Sequence, residues 1–125
     1  MNTKSRILTI DDDETSLWLL KETLTGKGYE VLTAGSGEKG VAMAIKSKPD
    51  LILLDIMMPG MDGYETLSKI KGTQETKDIP VIMVTAEGHE LNKKKASAMG
   101  VAAFITKPID FEVLFKDIKR ILPDG

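Results

Sequence analysis

Five short apolar runs recur along this chain: "RILTI" at 6–10, "EVLTA" at 30–34, "LILLD" at 51–55, "VIMVTA" at 81–86 and "AAFIT" at 102–106. Each is separated from the next by a segment long enough for a helix, and that alternation predicts βαβ units and a parallel sheet. "LILL" and "VIMV" do not alternate in polarity, so they read as central strands buried on both faces. The intervening segments carry helical spacing: Leu17, Leu20 and Leu24 in the first, Val41, Ala44 and Ile45 in the second, and Ile109, Val113 and Ile118 or their neighbours in the last. "TGKG" and "KSKP" stop two of these helices. Asp62 with Glu65 resembles a capping box, and Asp110 after Pro108 is placed to cap the last helix. Five strands and five helices fill residues 1–125 as one expected domain, with no linker, repeat or low-complexity stretch. The final "LPDG" is either a terminus or the start of a linker.

The composition excludes several functions. With 17 basic and 19 acidic side chains the net charge is −2, too small a field for non-specific binding to nucleic acid or an anionic membrane. Absence of cysteine removes disulfides, thiolate chemistry and cysteine zinc sites. No apolar run approaches membrane-spanning length, and "MNTKSR" leads into a strand without a signal-peptide core. The expected location is the cytoplasm.

In open parallel sheets, ligands bind beyond the carboxyl ends of the strands. After the first run come Asp11, Asp12 and Asp13; Asp55 ends the third, Thr85 the fourth, and Lys107, followed by Pro108, comes after the fifth. Close carboxylates repel by roughly 3 kcal/mol per pair at an effective dielectric near 20, so this crevice needs a counter-charge. Mg2+ suits one or two carboxylates, a backbone carbonyl, waters and a phosphoryl oxygen. A carboxylate beside it can be a nucleophile toward phosphorus, with a hydroxyl and an ammonium stabilising the transferring group.

The segments "ILTIDDDE", "PDLILLDIMMPGMDG", "IPVIMVTAEG" and "FITKPID", in this order over nearly the whole chain, resemble the receiver domain of bacterial two-component response regulators. The resemblance implies a flavodoxin-like doubly wound sheet of order 2-1-3-4-5, with Asp55 as the phosphorylated residue. It implies Mg2+ bound by Asp12, Asp55 and the main-chain carbonyl of Met57, with Asp11 acting through water. Thr85 and Lys107 would contact the phosphoryl group, and Phe104 would hold the aromatic switch position. The implied partners are a sensor histidine kinase or phosphotransfer protein, and a downstream protein reading the face of helix four, strand five and helix five. The family commonly has a cis bond before Pro108. Two positions depart from its common pattern: Asp13 follows the acidic pair, where Glu is common, and Phe104 stands where Tyr is frequent. Phe has no hydroxyl, so any switching at Phe104 rests on packing.

Plainer roles stand beside these. A helix cap accounts for Asp13 or Thr15 but not for three successive aspartates. Asp55 alone reads as a turn residue, yet it follows four apolar residues without a break. His89 is the one histidine and is expected to be solvated, as is "NKKK" at 92–95. Met57, Met58 and Met61 either fill gaps or touch a partner. Trp18 stands one position off the helix-one core face, so it serves either the core edge or a partner contact.

A competing enzyme reading starts from "DDDET", which matches the D-x-D-x-T pattern of haloacid-dehalogenase phosphatases, with Asp11 as nucleophile. Such enzymes need a further acidic pair and usually a cap, for which 125 residues leave no room. A flavodoxin-like cofactor carrier fails because the acidic loop repels phosphate and no glycine-rich cradle is present. The expectation is a phosphoacceptor switch, not an enzyme acting on other molecules.

Overall fold

The computed structural model describes residues 4–86 and 90–122; His89 and the last residues of "LPDG" lie outside them. Ten elements alternate: β1 (Arg6–Ile10), α1 (Glu14–Gly26), β2 (Glu30–Ala34), α2 (Gly37–Ser47), β3 (Leu51–Leu54), α3 (Gly63–Gly72), β4 (Val81–Thr85), α4 (Glu90–Ala98), β5 (Ala103–Thr106) and α5 (Phe111–Ile121). The five strands form one parallel sheet of order β2-β1-β3-β4-β5. Every residue of β3 and β4 is buried, as their unbroken apolar runs require.

Alternate strand residues feed two cores. Leu8, Ile10, Ile52, Leu54, Val81 and Met83 pack with Ala44, Leu67, Ile70 and Ala96 of α2, α3 and α4. Ile7, Leu51, Leu53, Ile82, Val84 and Ile105 pack on the other face with Leu20 and Leu24 of α1 and Leu114 and Ile118 of α5. Period two along each strand thus supplies both layers.

The caps follow the sequence closely. Asp13, Asp62 and Asp110 are the N-caps of α1, α3 and α5, each accepting a backbone N–H from the first turn. "TGKG" ends α1, with Gly28 at φ 96°, and "KSKP" ends α2 with Lys48 left-handed at φ 47°. Two helix faces differ from expectation. In α5 the buried residues are Leu114 and the expected Ile118, while Val113 is 47% exposed. In α2, Ile45 faces outward and Gly40 lies against Ile10, where any Cβ would collide with that side chain. Close packing of backbone against Ile10 takes the place of an apolar side chain there. No helix among the described residues is long and apolar enough to cross a membrane.

Candidate functional site

Strand register brings the site together. Ile10 of β1 pairs with Leu54 of β3, so the next residues, Asp11 and Asp55, emerge side by side. The Asp55 N–H donates to the Ile10 carbonyl at 3.0 Å, holding Asp55 to the sheet although β3 itself ends one residue earlier. The unbroken apolar run before Asp55 predicts it on the strand. It stands one step beyond, where the pleat ends and the chain turns into the "IMMPGMDG" loop. Asp11 and Asp55 are buried, and Asp12 is exposed. One carboxylate oxygen from each of Asp11, Asp12 and Asp55 lies within 4.8 Å of the others, at the mouth of the sheet.

The remaining strand ends complete the ring. Thr85, the last residue of β4, is fully buried, and its hydroxyl favours the ionised Asp55 carboxylate. Lys107 follows β5; its N–H donates to the Thr85 carbonyl at 2.8 Å, and the Lys107–Pro108 bond is cis. The ammonium of Lys107 lies 2.6 Å from Asp11 Oδ2 and 3.7 Å from Asp55 Oδ2. It also donates to Ser16 Oγ at 3.3 Å. Met57 contributes its backbone, its N–H donating to Asp55 Oδ1 at 3.4 Å, while its side chain is 56% exposed. Met58, in contrast, is buried in the core.

Electrostatics follow from this crowding. Burial raises the Asp55 carboxyl above its ordinary value, and the neighbouring Asp11 charge raises it further; Lys107, Thr85 and the Met57 amide oppose them. For Lys107, burial pulls the ammonium down, but the bond to Asp11 and the charges of Asp11 and Asp55 outweigh it, so the net shift is upward. Asp13 is lowered, first by the Ser16 hydroxyl and then by the Thr15 amide that it caps. Among the described residues, three carboxylates therefore face a single ammonium. An all-oxygen donor set with unbalanced negative charge fits a hard divalent cation such as Mg2+.

The loop between β3 and α3 is also shaped by Gly63. A Cβ there would fall on the Asp55 carbonyl oxygen and 2.6 Å from Ile56 Cα, so only glycine lets α3 start this close to the phosphoacceptor candidate. The Gly63 N–H donates to the Ile56 carbonyl at 2.8 Å. Further from the site, Phe104 is half-buried against the α2–α3–α4 core. Trp18 is 63% exposed on α1.

Two features were not read from the sequence. One is the Lys107–Asp11 pair, whose partners stand 96 positions apart. The other is Ser16, which bonds both Lys107 and Asp13; its position three residues after the cap was the available signal. The "NKKK" lysines are exposed as expected, but Lys95 lies 4.0 Å above the Tyr64 ring and Tyr64 donates to Asn92 at 2.7 Å, fastening α4 to α3.

Comparison with known proteins adds independent support. A model of the response regulator receiver domain matches residues 7–119. Protein PilH of Pseudomonas aeruginosa is 40% identical over 118 residues, covering 94% of this chain and 98% of PilH. Response regulator PleD of Caulobacter vibrioides is 42% identical over 117 residues, but the chain spans only 26% of PleD. Among solved structures, the Vibrio cholerae chemotaxis protein CheY4 superposes with a TM-score of 0.89 at 31% identity, over 95% of this chain and 99% of that one. Matches of this extent, on a sheet whose carboxyl end gathers these acids, decide between the two readings left open by the "DDDET" motif: the chain belongs to the response regulator receiver domain family and serves as a phosphorelay receiver, not as a haloacid-dehalogenase phosphatase.

Proposed function

We propose that Asp55 is the phosphoacceptor. A phosphoryl group passes from the ring nitrogen of a phosphohistidine, on a sensor kinase or phosphotransfer protein, to a carboxylate oxygen of Asp55. The N–P bond breaks as the O–P bond forms, and the histidine leaves neutral after taking a proton. The observation that carries this reading is the position of Asp55. It is buried at the sheet's end, with an ammonium at 3.7 Å and the buried Thr85 hydroxyl favouring its ionised form. Thr85 and Lys107 are placed to hold the equatorial oxygens of the incoming group. Asp11, Asp12, Asp55 and the Met57 carbonyl are the residues that would hold Mg2+. That ion, when bound, neutralises charge between the carboxylates and the phosphoryl oxygens.

The new charge of about −1.5 to −2 then biases the surface read by a target protein. The face of α4, β5 and α5 is the one we assign to that target. Leu91 on α4 is 79% exposed and Val113 on α5 is 47% exposed, which supports an apolar contact there. Phe104 on β5 links this face to the core through packing, as the aromatic switch. We read residues 1–125 as a single receiver domain acting in the cytoplasm, with no direct nucleic-acid or membrane contact. It catalyses only its own phosphorylation and dephosphorylation.

Intact-mass measurement after incubation with Mg2+ and acetyl phosphate tests the assignment. Wild type is expected to gain one phosphoryl group and Asp55→Asn none. Label retained by Asp55→Asn and lost from Asp11→Asn would overturn it.

A further inference from the structure

We propose that Ser16 is a positioning residue for Lys107: its hydroxyl oxygen is the second anchor of the ammonium, and with Asp11 it aims the third N–H at Asp55. This deepens the phosphoacceptor reading and rests on it.

An ammonium has three N–H donors in tetrahedral directions. Three oxygens surround Lys107 Nζ: Asp11 Oδ2 at 2.6 Å, Ser16 Oγ at 3.3 Å and Asp55 Oδ2 at 3.7 Å. A group held at one acceptor rocks about that bond, whereas two acceptors fix the direction of the third donor. Ser16 is equipped for this because its own proton is committed elsewhere: it donates to Asp13 Oδ2 at 3.1 Å, which leaves lone pairs for the lysine. Asp13 is itself fixed as the N-cap of α1, accepting the Thr15 N–H at 3.1 Å. The first turn of α1 is thus wired to the group that faces the reacting carboxylate. Ser16 and Lys107 also border an apolar groove of about 210 Å3 with Leu20 and Ile109, an environment in which a polar bond weighs more than it does in open water.

The test compares wild type, Ser16→Ala and Ser16→Thr by two readouts on the full chain. In metal-free protein, the 1H–15N NMR signal of the Lys107 ammonium is expected to be sharp in wild type and Ser16→Thr and exchange-broadened in Ser16→Ala. With saturating Mg2+ and acetyl phosphate, Asp55 labelling is expected to slow about 3- to 10-fold in Ser16→Ala, the weight of one ordinary hydrogen bond. Ser16→Thr keeps the hydroxyl and restores the rate, and Mg2+ affinity stays the same in all three. A wild-type rate or an intact ammonium signal in Ser16→Ala overturns the proposal, and so does a Ser16→Thr as slow as Ser16→Ala. If wild type takes no label at Asp55, the phosphoacceptor reading fails instead, and the ammonium signal alone decides whether Ser16 anchors Lys107.

Discussion

Lys107 forms its close ion pair with Asp11, at 2.6 Å, and stands a full ångström further from Asp55. Asp11 follows β1 and Lys107 follows β5, strands with β3 and β4 between them. The lysine therefore reaches across the carboxyl ends of two strands, above Asp55 and Thr85. The same ammonium that would meet a phosphoryl group first neutralises a buried acid.

Removing that ammonium leaves Asp11, whose side chain is 5% exposed, without its cation. Lys107→Ala is expected to destabilise the metal-free protein by about 1–3 kcal/mol at neutral pH, measured by urea unfolding. Because the folded-state pKa of Lys107 is raised above its ordinary 10.5, the pair's contribution is complete below 10.5 and fades only as pH climbs through the folded value. The gap between wild type and variant should thus persist at neutral pH and close in strong alkali. A gap that closes near neutrality contradicts the pairing.

Asp55 works in the opposite direction. Its carboxyl is raised above the ordinary 3.8 by burial and by Asp11, so the folded protein holds that proton more tightly than the unfolded chain does. Stability from this group is greatest where it is protonated. It falls as pH rises from 3.8 through the raised value, and above that a constant penalty remains. Asp55→Asn removes the penalty, and its Tm at neutral pH should exceed the wild-type Tm by about 3–5 °C. Thermal melts across the acid range should show the two curves converging at low pH.

Mg2+ should stabilise the chain by mass action, by about 2.7 kcal/mol at a hundred times its dissociation constant. Asp12 is exposed, so Asp12→Ala should change metal-free stability by no more than about 0.5 kcal/mol. It should nevertheless abolish most of the Mg2+-dependent rise in Tm. A full Mg2+ response in Asp12→Ala would remove that residue from the metal site.

Gly63→Ala places a methyl group against the Asp55 carbonyl and the Ile56 backbone, neither of which is a flexible side-chain end. The start of α3 or the Asp55 turn must shift. A loss of about 2 kcal/mol or more is expected in equilibrium unfolding, with slower labelling of Asp55 by acetyl phosphate. Gly72→Ala, at a position with open space, is the control and should leave the labelling rate unchanged.

The strands and caps were legible because each depends on local chemistry: period two and unbroken apolar runs for β3 and β4, a side-chain oxygen before a helix for Asp13, Asp62 and Asp110. The site was legible as a set of strand ends, since parallel register turns distant positions into neighbours. What the sequence hid was pairing among those neighbours. Asp11 and Asp55 both offered an anion to Lys107, and only the three-dimensional reach of the lysine stem chose Asp11. The outward turn of Ile45 was hidden for a similar reason. Gly40 brings the α2 backbone down onto Ile10, rotating the helix face in a way that counting apolar residues does not reveal.

The amide of Asp55 remains bonded to Ile10 even though its side chain stands past the last pleat. Backbone and carboxylate of one residue thus belong to two mechanical regimes. The amide should rank with the sheet interior in hydrogen–deuterium exchange, opening only on global unfolding, while the carboxylate a few bonds away is the group that a reagent at the mouth of the sheet has to reach. Whatever moves when the signal is written, the point of attachment stays put, and displacement has to be expressed by the loops and helices around it.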